Sequence, residues 1–191
     1  KNENIVIERE VGRINNLEKI LKKDKSNIGI GHTRWATHGK PSIINAHPHK
    51  QGVITLVHNG IIENFAELKS ELNEKGYTFK SDTDTEIAAA YIDYLYNETK
   101  DMIKALSLAS QKFIGSYAFG IINEEINGAL YALRKDSPLI IGIGTDENFI
   151  ASDVPAILKY TNKYIDIEND EIIELTDEKV KVYNSKCKEI E

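Results

Sequence analysis

Apolar positions recur along this chain with two distinct periods. Over 64–75, Phe65, Leu68 and Leu72 fall at helical spacing and Gly76 stands just past them, which predicts a helix. Over 83–97, Ile87, Ala90, Tyr91, Tyr94 and Leu95 form an apolar stripe, and Thr83 and Glu86 have the spacing of a capping box. A third stripe, Met102, Ala105, Leu106 and Ala109, predicts a helix over 101–113 that stops near Gly115. The rest is strand-like. Runs at 28–33 and 53–58 precede the helices, and runs at 117–122, 129–134, 139–143 and 148–152 follow them. Shorter β-rich runs at 164–167, 171–175 and 180–183 close the chain. Asn127-Gly128 between two runs is a hairpin signal. Strands spaced this closely leave no room for helical crossovers, so the sheet must be largely antiparallel. The class is α+β, with helices grouped on the faces of extensive sheet.

Length and composition narrow the field. A chain of 191 residues holds one well-packed domain, and 41% hydrophobic with 28% charged residues is ordinary for a soluble globular protein. The net charge of −6 argues against a nucleic-acid partner and against docking on an anionic membrane. No apolar run is long enough to cross a bilayer, and no signal-peptide pattern opens the chain. A single cysteine, Cys187, excludes an internal disulfide framework and fits a reducing compartment, so the cytoplasm is expected. The opening Lys1-Asn2-Glu3-Asn4 lacks an initiator methionine, and the charged, aperiodic 185–191 reads as a linker. The expectation is a piece of a longer protein.

Candidate chemistry is concentrated early. All five histidines, His32, His38, His47, His49 and His58, share one stretch with the single tryptophan, Trp35. A metal site is one reading, but no metal-ligand spacing such as H-E-x-x-H is present, and buried or surface histidines are the simpler reading. Arg34 follows a strand run, where loops commonly carry function, and its planar fork suits a carboxylate; a surface ion pair is the alternative. Thr37, His38 and Gly39 allow a loop backbone to approach a small ligand, whereas Trp35 alone reads as a packing anchor. Asn59-Gly60 has two equal readings: a hairpin turn, or an oxyanion hole in which a side-chain amide N–H and a backbone N–H face one oxygen. Asp84 opens the helix capped by Thr83; it either answers the helix dipole or grips an ammonium group. An arginine and an aspartate from separate loops would select a free amino acid by its two charged ends.

Taken together, several segments resemble the glutaminase domain of the glutamine–fructose-6-phosphate aminotransferase family, a class II glutamine amidotransferase. They are His32–Gly39, Asn45-Ala46-His47-Pro48-His49, 57–64, Asp82–Glu86, 137–142 and 147–153, in the family's order across nearly the whole chain. The resemblance implies an N-terminal-nucleophile fold, a four-layer αββα sandwich, and glutamine as substrate with no cofactor and no metal. It implies that Arg34 binds the α-carboxylate, Asp84 the α-amino group, and Asn59 and Gly60 the oxyanion. It places Thr37 and His38 in a substrate-closing loop and makes Trp35 a gate for ammonia. It assigns 1–184 to the amidotransferase domain and 185–191 to a linker toward sugar-isomerase domains of the same polypeptide, the full-length protein being a homo-oligomer. The family's nucleophile is an N-terminal cysteine with its own α-amine as base, and neither lies within these 191 residues. The segment alone is therefore expected not to hydrolyse glutamine. A non-catalytic glutamine-binding or scaffold domain is the rival expectation.

Overall fold

Period-two runs become strands only where another strand completes their hydrogen bonds, and most of the predicted runs find one. In the computed structural model, which describes residues 5–21, 26–34 and 40–190, the order is α1 (Ile14–Ile20), β1 (His49–Gln51), β2 (Ile54–Ile62), α2 (Phe65–Glu74), α3 (Asp84–Thr99), α4 (Met102–Lys112) and β3 (Gly115–Asn123). Then come β4 (Leu130–Lys135), β5 (Ile140–Ile143), β6 (Asn148–Ala151), β7 (Tyr164–Asp166), β8 (Ile172–Leu175) and β9 (Val180–Tyr183). The three helices stand within two residues of the apolar stripes that predict them. β1-β2-β3-β4-β8-β9 form a six-stranded sheet and β6-β5-β7 a three-stranded one, and every strand pair within them is antiparallel.

Side chains alternate across the larger sheet and build two cores. Ile54, Leu56 and Ile62 of β2, with Tyr117, Phe119 and Ile121 of β3, pack against Ile87, Ile92 and Leu106 of the helices. The intervening residues Ala118, Ala132, Ile173 and Val182 face the other way, onto Ile141 of β5 and Ile167. Each fully buried Ile or Leu contributes about 1.5–3 kcal/mol, so a one-residue slip of β2 would exchange its core face for its other face. Helices, larger sheet and smaller sheet make three layers of the expected sandwich among the described residues; α1 buries none of its residues.

Three features depart from the sequence reading. Residues 28–33 alternate between half-buried and exposed as a strand would, yet belong to no ladder among the described residues, so the period reports an extended chain rather than a paired one. Asn59-Gly60 is not a hairpin turn: both lie inside β2, Asn59 opposite Ala118 and Gly60 opposite Tyr117. The true hairpin joins β3 to β4 and contains Asn127-Gly128. The terminal segment folds back rather than trailing away, with Ile190 N–H bonded to Val182 O at 2.8 Å and Ser107 Oγ to Ser185 O at 2.7 Å.

A cleft built from three converging segments

The first turn of α3 is held from outside by the turn-and-bend segment 45–47 and the start of β1. Thr83 caps the helix, its Oγ1 accepting the Glu86 N–H at 3.3 Å. The capping box is not reciprocal, because the Glu86 carboxylate turns upstream to the N–H groups of Lys80 and Ser81, the Ser81 hydroxyl and Gln51 Nε2. Burial alone would raise the Glu86 carboxyl, but these donors outweigh it and hold its pKa below the ordinary value. Alternate residues of 45–49 then pin the same turn. Asn45 Oδ1 accepts the Asp82 N–H at 3.0 Å, His47 Nε2 lies 3.1 Å from Thr85 Oγ1, and His49 Nε2 lies 3.2 Å from Thr83 Oγ1. Asp84 sits buried within this turn, and its Oδ2 accepts the Ile62 N–H at 2.8 Å, tying α3 to the end of β2.

β2 supplies the second edge of the cleft. Gly60 has φ 120°, and a Cβ there would lie 2.0 Å from the backbone oxygen of Ser116. Only glycine allows β3 to approach this closely while the Asn59–Gly60 peptide is rotated away from regular strand geometry. Asn59 Oδ1 lies 2.6 Å from His32 Nε2, and His32 Nδ1 accepts the Arg34 N–H at 2.8 Å. Arg34 itself holds φ 34°, a left-handed conformation that arginine rarely adopts, at the point where the third segment enters the cleft.

The imidazoles of His32, His47 and His49 are uncharged at neutral pH. Burial, reinforced by neighbouring His32 and His49, lowers the His47 pKa to about 2. Burial, with Arg9 adding to it, lowers that of His49 to about 4. Burial also lowers His32, with the Asn59 hydrogen bond opposing and Arg34 assisting. Thr85 Oγ1 bridges His47 Nε2 and His58 Nδ1, at 3.1 Å from each. Among the described residues no group of three or more His, Cys, Asp or Glu is arranged to hold a metal ion.

Arg34, Asn59, Gly60 and Asp84, which stand far apart in sequence, line one cleft of about 1050 Å³. Trp35, Thr37 and His38 lie outside the described residues. Cys187 is exposed, its sulfur 3.9 Å from Ile103 O of α4, and does not line the cleft. The cleft is thus lined by a guanidinium, a carboxylate and a side-chain amide. The sequence signature of the glutamine amidotransferase domain matches residues 36–159. This chain belongs to the glutamine amidotransferase family.

Among its relatives, the glutamine–fructose-6-phosphate aminotransferase (isomerizing) of Clostridium acetobutylicum is 50% identical over 94% of this chain and 30% of that protein. The enzyme of the same name from Thermococcus kodakarensis is 49% identical over 91% of this chain and 30% of its own length. The chain thus spans about 30% of the length of these curated relatives. Among solved structures, the glutamine phosphoribosylpyrophosphate amidotransferase of B. subtilis superimposes with a TM-score of 0.67 at 26% identity, over 81% of this chain and 34% of that one. A class-II glutamine aminotransferase domain protein from Silicibacter pomeroyi shares the fold, with a TM-score of 0.53 at 15% identity, over 75% of this chain and 72% of that one. Within this amidotransferase domain, sequence reasoning left three contributors without a role. His32 was one histidine of five until its two bonds were visible. Arg9, whose Nε donates to Pro48 O at 2.8 Å, also lines the cleft, and β1 carries His49 beneath it. His32 and His49 each lie in a segment that carries the family resemblance, whereas Arg9 had no such signal.

Proposed function

We propose that this chain binds glutamine and releases its amide nitrogen as ammonia, as the amidotransferase part of a longer enzyme that makes glucosamine 6-phosphate from fructose 6-phosphate. The observation that carries the proposal is the convergence of Arg34, Asp84 and the Asn59-Gly60 pair on one cleft. The Arg34 guanidinium takes the substrate's α-carboxylate and Asp84 its α-ammonium, which selects a free amino acid by both ends. The side-chain amide carbonyl then lies against the Asn59 Nδ2 and Gly60 N–H donors. A cysteine thiolate attacks that carbonyl, and the oxygen takes up negative charge that the two donors stabilise. The proton lost by the thiol passes to the amide nitrogen. Collapse of the tetrahedral adduct then breaks the C–N bond to expel ammonia and leave a thioester, and water hydrolyses the thioester to glutamate and the free thiol. Cys187 lies against α4, so the attacking thiol belongs to the full-length polypeptide outside these 191 residues.

Residues 1–184 act as the amidotransferase domain, and 185–191 lead toward sugar-isomerase domains in a cytoplasmic homo-oligomer. Thr37 and His38 close over the substrate, and Trp35 gates the route of ammonia. The length of the aminotransferase relatives supports this arrangement, since they run to about three times the span they share with this chain. No helix among the described residues is long and apolar enough to cross a membrane.

Glutamate release by the full-length protein tests the reading. Turnover that depends on a cysteine, with Arg34→Ala and Asp84→Ala each sharply raising the KM for glutamine, is the expected result. Glutamine binding without glutamate release would leave only a binding domain. Unchanged glutamine affinity in both variants would refute the clamp.

A further inference from the structure

We propose that His32 is a positioning residue that sets which end of the Asn59 side-chain amide faces the cleft; the inference rests on the oxyanion reading of Asn59. A backbone N–H can only donate, so the Arg34 N–H at 2.8 Å makes His32 Nδ1 an acceptor carrying no proton. In the neutral ring the proton is then on Nε2. An Nε2–H must find an acceptor, and its neighbour at 2.6 Å is Asn59 Oδ1. With Oδ1 engaged there, the two N–H groups of Asn59 Nδ2 point away from His32. Because Asn59 and Gly60 both line the cleft, those donors are available beside the rotated Gly60 peptide.

The alternative orientation costs little sterically, since amide O and NH₂ are nearly the same size. Chemically it is the opposite arrangement, because it presents a carbonyl oxygen to an oxygen that is gaining negative charge. His32 excludes it by offering a donor and not an acceptor at the end of the amide that faces it. The same ring holds the Arg34 N–H, so one imidazole joins the residue that grips the substrate carboxylate to the residue that steadies the oxyanion. Its other face meets the His47 ring, with centroids 4.2 Å apart. His47 remains neutral there, so no adjacent imidazolium disturbs the pairing.

The test is a double-mutant cycle on glutamate release by the full-length protein. Asn59→Ala is expected to lower kcat about 10²–10³-fold, and His32→Ala about 10–10²-fold with a smaller change in KM. If His32 acts through Asn59, the double variant falls no further than Asn59→Ala, within about threefold. His32→Gln retains an acceptor and a donor on one side chain and is expected to recover most of the lost kcat, whereas His32→Leu recovers none. Multiplicative losses in the double variant, or His32→Ala with unchanged kcat, overturn this inference and leave the oxyanion reading standing. An Asn59→Ala variant with unchanged kcat removes the oxyanion reading and the inference with it. Should His32→Ala fail to fold, long-range 1H–15N spectra of the unmutated protein decide the matter. Unprotonated Nδ1 with protonated Nε2 is expected, and the reverse tautomer overturns the proposal.

Discussion

Replacing Gly60 by alanine separates two reasons for a glycine that sequence alone cannot distinguish. The first is conformational: φ 120° is strained for any residue with a Cβ, at a cost of about 1–3 kcal/mol. The second is contact. The new Cβ would lie 2.0 Å from Ser116 O, 2.8 Å from Ser116 C and 2.9 Å from Tyr117 Cα, all backbone atoms that cannot rotate aside. Restoring even the tightest normal approach of 3.0 Å requires β2 and β3 to part by roughly 1 Å at the Gly60–Tyr117 pair. Losing one or two ladder bonds there adds about 1–2 kcal/mol, giving a local destabilisation of about 2–5 kcal/mol. Gly128→Ala is the matched control: φ is also positive, at 81°, but nothing lies within 4 Å of its Cβ position, so only the conformational part applies. Amide hydrogen exchange of the β2–β3 peptides in the full-length protein reads the difference. Gly60→Ala is expected to speed exchange there by about 10²–10³-fold, whereas Gly128→Ala affects the same peptides less than about tenfold. Glutamate release should fall with it. Equal exchange in the two variants would show that close approach of β3 is not what requires the glycine.

Arg34→Lys keeps the charge but not the planar fork, and should raise the KM for glutamine about tenfold or more in steady-state assays. Asp84→Asn retains an oxygen to accept the Ile62 N–H and loses only the charge, so glutamine affinity should drop at least roughly tenfold with the melting transition unchanged. Asp84→Ala leaves that buried N–H without its acceptor and should additionally destabilise the domain by about 1–3 kcal/mol, measured by denaturant unfolding. Stability should also depend on pH through His47 and His49. Their folded pKa values lie below the unfolded value of 6.5, so their neutral burial contributes fully above about pH 6.5. That contribution is lost as pH falls, until about pH 4 for His49 and about pH 2 for His47. The two together amount to about 3–4 kcal/mol lost between pH 7 and pH 5. Denaturant unfolding at stepped pH should show this decline above the carboxylate range and a shallower one in His49→Gln.

Local order was decided locally, and so it was legible. The stripes of α2, α3 and α4, the Thr83 cap and the Asn127-Gly128 hairpin each depend on residues a few positions apart, where side-chain period and backbone donors leave few choices. The antiparallel α+β class followed from the short spacing of the strands. Family-specific motifs also named Arg34, Asn59, Gly60 and Asp84 as candidates, without showing that they meet. Tertiary structure decided the remainder, because the deciding partners are distant along the chain. Whether 28–33 joins a sheet depends on which edge reaches it, and whether Asn59-Gly60 turns or continues depends on Ser116 crossing close behind it. Glu86 could answer Thr83 or the chain upstream, and packing selected the latter. The role of His32 needed most of all to be seen in space: a histidine's proton is placed by its neighbours, and one of those, Asn59, lies 27 residues away.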